Sequence, residues 1–115
     1  MSVSSQIALW AGIIFLSFYS LWVFYLAVMN LKRVKDAGNL PRIALVLGTP
    51  VLIAGWILDF VLNVTVMTVV LLELPREKTI SERLHRHNRT DGWRKKVAQW
   101  FEPLLDPFDP SGDHI

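Results

Sequence analysis

Few side chains in this sequence of 115 residues could do chemistry, and Asp59 has the least ordinary setting. It is the one charge inside an apolar run of 30 residues, Ile43 to Leu72. A carboxylate at the centre of a bilayer costs ~2.5–3.5 kcal/mol on insertion scales, so an acid there needs a reason. Gly55, Asp59 and Asn63 recur every four residues and share one side of a helix. They form a small, polar stripe that a second helix can approach closely. Counted from the connecting loop, Asp59 falls level with about Ser17 of the preceding apolar run. The expectation is a hydrogen-bonded Asp in a helix–helix contact, within one chain or between copies. A proton relay would need a second ionisable group in the spans, and the sequence supplies none.

The other polar groups suggest less. His85 and His87 flank Arg86, a spacing that puts the two rings on different sides of a helix, and His114 is the only other histidine. With no cysteine, metal and thiol chemistry are not expected. Asp106, Asp109 and Asp113 lack the alternating ligands and closing Glu of a calcium loop, and are read as solvated acids. Asn88-Arg89-Thr90 fits a glycosylation acceptor, but so does Asn63-Val64-Thr65 within an apolar run, so the pattern carries little weight. No triad, Gly-rich phosphate loop or pair of catalytic carboxylates emerges from the spacing. The expectation is a non-enzymatic chain without a cofactor.

The elements that must position these groups follow from charge and hydropathy. The first 31 residues hold no Asp, Glu, Lys or Arg, and Ile7 to Leu31 is a predominantly apolar stretch of 25 residues. That exceeds the ~20 a helix needs to cross a bilayer. Residues 1–6 are a polar lead without the basic flank of a secretory signal, so residues 7–31 are read as an uncleaved span. Phe15, Phe18, Tyr19, Trp22 and Tyr25 lie along one side of it and are expected to face lipid. Residues 32–42 form a basic connecting loop with Lys32, Arg33, Lys35 and Arg42 against Asp36. Gly38-Asn39 suits a helix end and Pro41 the first turn of the next helix. Residues 43–74 are a second span, longer than the ~30 Å hydrocarbon core, which must tilt, kink near Gly48-Thr49-Pro50, or project one end past the headgroups. With about 60 residues committed to lipid, too little remains for a conventional catalytic domain with its own core.

Residues 75–115 read as a soluble tail. Thr79-Ile80-Ser81-Glu82 matches a capping box, with a short helix through about Asn88. A second tail helix follows Thr90-Asp91-Gly92, placing Trp93, Val97, Trp100, Phe101 and Leu104 on one face and Arg94, Lys95, Lys96 and Gln99 opposite. Pro103 is expected to bend or end it, leaving an extended, proline-fixed finish. Eight of the twelve basic residues fall between Arg76 and Lys96, whereas Glu102 to Ile115 carries four acids and no Lys or Arg. A basic amphipathic helix next to a span is expected to lie on an anionic bilayer surface, which disfavours nucleic acid as the partner. The same basic tail outweighs the four charges of the loop and favours both termini inside, N-in and C-in.

The tail also carries a resemblance. Leu74-Pro75-Arg76-Glu77, Ser81-Glu82-Arg83-Leu84, Arg86-His87, Gly92-Trp93-Arg94, Ala98 and Trp100 lead to Leu105-Asp106-Pro107-Phe108-Asp109-Pro110-Ser111-Gly112, with His114 beyond. This pattern resembles a family of small membrane proteins encoded mainly by bacterial viruses and prophages. Relatives often carry Cys in this region; this chain has none, which argues against a thiol or metal role. The resemblance implies a phage setting and a bacterial inner membrane, without an activity. The sequence thus predicts an all-α membrane protein, a two-helix transmembrane hairpin with a short amphipathic helical tail. It would act as an anchor or accessory whose partners are the bilayer, further copies of itself, or a host or phage membrane protein. A holin-like pore former for host lysis is the alternative.

Overall fold

No proline interrupts the sequence between Val3 and Asp36, and in the computed structural model, which describes residues 2–115, it forms one continuous helix, α1 (Val3–Asp36). The Ser2 hydroxyl caps it by accepting from the Ser5 N–H at 3.1 Å. At ~1.5 Å per residue such a helix is about 50 Å long. It closes where Gly38 takes φ +76°, a left-handed conformation that a Cβ would disfavour. Arg33 and Lys35 in the last turn complement the negative end of the helix dipole. Pro41 lies just outside α2 (Arg42–Val64) as its N-cap, one residue earlier than the sequence suggests.

The two helices pack antiparallel through glycines. A Cβ on Gly48 would come within 2.6 Å of the Leu31 Cδ1, and one on Gly55 within 3.2 Å of the Phe24 Cβ. This register sets Asp59 near the height of residue 20, about three residues from the expected Ser17. Ser17 is not part of the polar stripe at all. Its hydroxyl donates to the Ile13 carbonyl of its own helix at 2.8 Å. Pro50 is accommodated inside α2 without interrupting it.

The second apolar run is not one helix. It breaks at Thr65 (φ −105°, ψ −81°), and a separate short helix, α3 (Val66–Leu71), follows. Thr65 donates its hydroxyl to the Val61 carbonyl at 2.6 Å, and Thr68 donates to Asn63 and Val64. Side-chain hydroxyls thus satisfy carbonyls that a continuous helix would have paired through its backbone. The interruption thus falls at Thr65, and not near Pro50 where the sequence places a kink. Leu72 then reverses the chain in a left-handed conformation (φ 50°).

The tail forms α4 (Ile80–Asn88) and α5 (Trp93–Leu105), and the Thr79 hydroxyl accepts from the Glu82 N–H, which is one half of the expected capping box. Pro103 does not end α5, and the finish is not extended. A 3-10 turn over Asp106–Phe108 carries the chain back, with one Asp106 oxygen accepting from the N–H groups of His114 (2.8 Å) and Ile115 (2.9 Å). The buried core consists of Leu62, Met67, Leu71, Ile80, Leu84, Ala98 and Ile115, with Phe18 and Leu21 of α1 and Val97, Phe101 and Leu105 of α5 packed against it. The core therefore joins tail to hairpin. By contrast α1 buries no residue fully, and its first turns run on beyond the end of α2. Among the described residues the chain is all-helical, with two helical stretches (Val3–Asp36 and Arg42–Leu71) long and apolar enough to cross a membrane.

The close approach at Gly55 makes a directional prediction. Gly55→Leu should push α1 and α2 apart, costing about 1–3 kcal/mol as overpacking does. Gly12→Leu, where an added Cβ meets nothing within 4 Å, should leave stability unchanged. Denaturant unfolding in micelles, followed by tryptophan fluorescence, compares the two.

Candidate functional site

One arginine organises the junction between hairpin and tail. α4 carries Arg83 inward to zero exposure. Its guanidinium donates to the Asn63 carbonyl at 2.8 Å and more weakly to the Asn63 side-chain oxygen and the Thr68 hydroxyl, both at 3.3 Å. It also reaches the Glu73 carbonyl (2.6 Å) and carboxylate (3.2 Å). Asn63 completes the bridge by donating its amide to the Glu77 carbonyl at 2.6 Å. Glu73 is shared further, with Arg86 at 2.8 Å and His87 Nε2 at 2.5 Å. Burial works against the Glu73 charge, but hydrogen bonds from His87, Arg86 and Arg83 outweigh it and hold the carboxyl down at about 2. Among the described residues, no buried side-chain polar atom lacks a partner.

Asp59 sits in the same junction, where its hydrogen bond joins α2 to the start of α4 and not to α1. Its Oδ1 accepts from the Ile80 N–H at 2.7 Å, satisfying one of the free amides at the start of α4. The stripe of Gly55, Asp59 and Asn63 thus exists, but its three members are used differently. Gly55 meets α1, whereas Asp59 and Asn63 hold the tail.

Between the hairpin and α4 lies a groove of about 530 Å³. Its floor is apolar, formed by Leu21, Phe24, Val28, Leu52 and Trp56, and its polar end holds Asp59, Ser81, His85 and His114. His114 Nδ1 lies 2.8 Å from Asp109 Oδ2, and His114 Nε2 lies 2.8 Å from Ser81 Oγ. Tyr25 packs against the His114 ring, with centroids 4.7 Å apart. Asp109 is no solvated acid: it is buried and accepts from the Ser111 N–H (2.9 Å), the Ser111 hydroxyl (2.8 Å) and Lys32 (3.4 Å). Burial opposes its charge, yet these donors and His114 hold it well below the usual carboxylate range. Asp106 is likewise committed to backbone amides, which leaves Asp113 as the exposed member of the three.

The aromatic sides read from the sequence also divide. Trp22 donates to the Leu104 carbonyl at 3.0 Å and packs edge-on to Phe108, while the Tyr25 hydroxyl donates to the Leu105 carbonyl at 2.5 Å. These two residues face the tail and not lipid. On α5, Val97 and Phe101 turn inward, and the Leu104 carbonyl takes the bond from Trp22. Trp93 and Trp100 stay exposed beside Lys96. Arg94 stacks over Trp93 at 4.6 Å and donates to the Leu71 carbonyl at 2.7 Å, and Lys95 lies 4.0 Å from Asp91. The expected five-residue lipid face is therefore an outer edge of two tryptophans. Helical spacing located α5, but the 3.6-residue period cannot tell a docking face from a lipid face. Sequence reasoning missed Arg83, Ser81, His114 and Tyr25; the capping box placed Ser81 at the start of a helix, and nothing in the spacing connected it to His114.

Comparison with protein-family models, curated proteins and solved structures finds no match to this chain.

Two predictions follow from the junction. Asp59→Asn keeps an oxygen for the Ile80 amide and should leave tail docking intact. Asp59→Leu removes it and should cost about 1–3 kcal/mol, as an orphaned buried donor does, read as faster proteolysis at Arg76 and Lys78. Glu73 sets an acid limit. Its folded value lies below the ordinary 4.5, so its contribution is complete above that pH and is lost as pH falls through about 2. Unfolding midpoints measured across this window should fall less steeply for Glu73→Gln than for the native chain, the remaining slope coming from Asp109, which is also held below its ordinary value.

Proposed function

We propose that this chain is an integral membrane protein of a bacterial inner membrane, in which a helical hairpin anchors a folded polar tail. It serves as an anchor or accessory whose basic, aromatic edge meets the lipid surface or a partner protein. The observation that carries this reading is the surface of α1. Val3, Ile7, Trp10, Ile13, Phe15 and Leu16 are all exposed, and no residue of the helix is fully buried. Soluble monomers rarely expose contiguous apolar patches beyond a few hundred Å². A continuous apolar helix is also one of the few forms that satisfies its backbone in lipid. The phage and prophage setting is supported by the resemblance of the tail.

For orientation the tail offers fewer free charges than its composition suggests. Arg83 is buried, and Arg86 is paired to Glu73 and Glu77. Arg76, Lys78 and Lys96 remain exposed, with Trp93 and Trp100 nearby on α5. This combination suits an anionic bilayer surface, and it is the count of basic residues alone that favours N-in, C-in, since the Lys32–Asp109 pair carries the end of the tail to the loop end of α1. The polar stripe is already occupied within one chain, which favours an anchor over a holin-like pore assembled through that stripe.

Expression in a bacterium tests the proposal. The chain should stay in the membrane pellet after an alkaline carbonate wash. Protease should spare the tail in spheroplasts and remove it in inverted vesicles. Release by carbonate would overturn the membrane reading, and tail cleavage in spheroplasts would overturn the orientation.

A further inference from the structure

The polar end of the groove contains an arrangement that an anchor does not need. We propose that Ser81, His114 and Asp109 form a nucleophilic triad that hydrolyses carboxylic esters of acyl chains held in the groove. Three features carry this. The first is the hydrogen-bonded series itself: Ser81 Oγ to His114 Nε2 at 2.8 Å, and His114 Nδ1 to Asp109 Oδ2 at 2.8 Å. A nucleophile within reach of a base, and a base oriented by a third group, is the geometry that defines such sites regardless of fold or chain order. Asp109 is buried and fixed by Ser111 and Lys32, so the acceptor that positions the imidazole is itself held in place.

The second feature is the place of Ser81. It is the second residue of α4, where backbone amides have no intrahelical acceptor. The flanking amides are occupied, Ile80 by Asp59 and Glu82 by Thr79. Among the described residues the Ser81 amide has no such partner, and it lies at the positive end of the helix. A donor so placed can stabilise the oxyanion that forms when the hydroxyl of the same residue attacks a carbonyl. The third feature is the groove. At about 530 Å³ it falls within the size of small-molecule sites, and Leu21, Phe24, Leu52 and Trp56 give it an apolar floor leading to Ser81 and His114. An acyl chain fits that floor, with its ester at the polar end.

The step balances with water as co-reactant. Ser81 Oγ bonds to the carbonyl carbon as His114 Nε2 takes its proton. The tetrahedral intermediate collapses, the bond from carbon to the alcohol oxygen breaks, and His114 returns the proton to that oxygen. Water then repeats the sequence on the acyl-serine, with its proton passing through His114, and releases the carboxylic acid and free Ser81. Ser81 and His114 are the catalytic residues and Asp109 a positioning residue. That the ester comes from a bilayer lipid rests on the hairpin lying in a membrane; hydrolysis of a soluble ester does not, so the two can fail separately.

The full-length protein in detergent micelles is treated with a fluorophosphonate probe and assayed with p-nitrophenyl acetate and octanoate. The expected result is one adduct per chain, mapped by mass spectrometry to Ser81, and faster turnover of octanoate than of acetate. Ser81→Ala should abolish the adduct, and both Ser81→Ala and His114→Gln should lower turnover by ~100-fold or more while circular dichroism stays unchanged. Asp109→Asn should lower kcat, counted per chain labelled at Ser81 by the probe so that unfolded protein is left out of the count, and leave KM in place. Leu52→Trp should narrow the preference for octanoate. Failure to label Ser81 in folded protein, or unchanged turnover by Ser81→Ala, would overturn the triad. Equal turnover of the two esters with Ser81 labelled would overturn the acyl-chain assignment.

Discussion

A single buried guanidinium ties the structure together. Arg83 arrives from α4 and binds Asn63 at the end of α2, Thr68 in α3 and Glu73 in the segment that follows. A buried cation is costly unless every donor is met, and here acceptors come from three stretches of chain at once. The break at Thr65 is part of the same arrangement. Thr68, just past the break, and Glu73, just past α3, both meet the arginine.

Once Arg83 is seated, α4 starts beside Asp59 and the rest of the tail must lie along the hairpin. Its return is secured by a second set of contacts in which backbone carbonyls of Leu104 and Leu105 accept from Trp22 and Tyr25, and Asp109 meets Lys32. The Leu105 to Asp109 stretch is thus a latch. Each of its features has a use: a carbonyl for Tyr25, an aspartate for two amides, a phenyl ring for Trp22 and a buried carboxylate for His114. The groove is what remains between the latch, the start of α4 and the hairpin.

Local features were legible in the sequence, and the long-range use of polar groups was not. The helix end at Gly38, the cap at Thr79 and the start of α5 at Gly92 each depend on neighbours in sequence and are found where spacing places them, whereas α1 (Val3–Asp36) takes in most of the expected lead and the first residues of the expected loop, and the second apolar run breaks at Thr65. The unusual Asp59 and Asn63 were also visible as a pair, yet their partners Ile80, Glu77 and Arg83 lie 14 to 21 residues away. Nothing in a charge pattern separates Arg83 from the exposed Arg76, because burial is decided by the fold. For the same reason the acids at 106 and 109 read as solvated, and Trp22 and Tyr25 as lipid-facing. Periodicity shows which side chains share a face; only the tertiary arrangement shows what that face meets.

The unequal lengths of α1 and α2 have a consequence. At one end the molecule is a single helix, and at the other it is two helices with the tail packed alongside, within overall dimensions of 51 × 40 × 22 Å. The first turns of α1 therefore have no cover from α2 or the tail, so whatever meets exposed Val3, Ile7 and Trp10 must come from outside the chain.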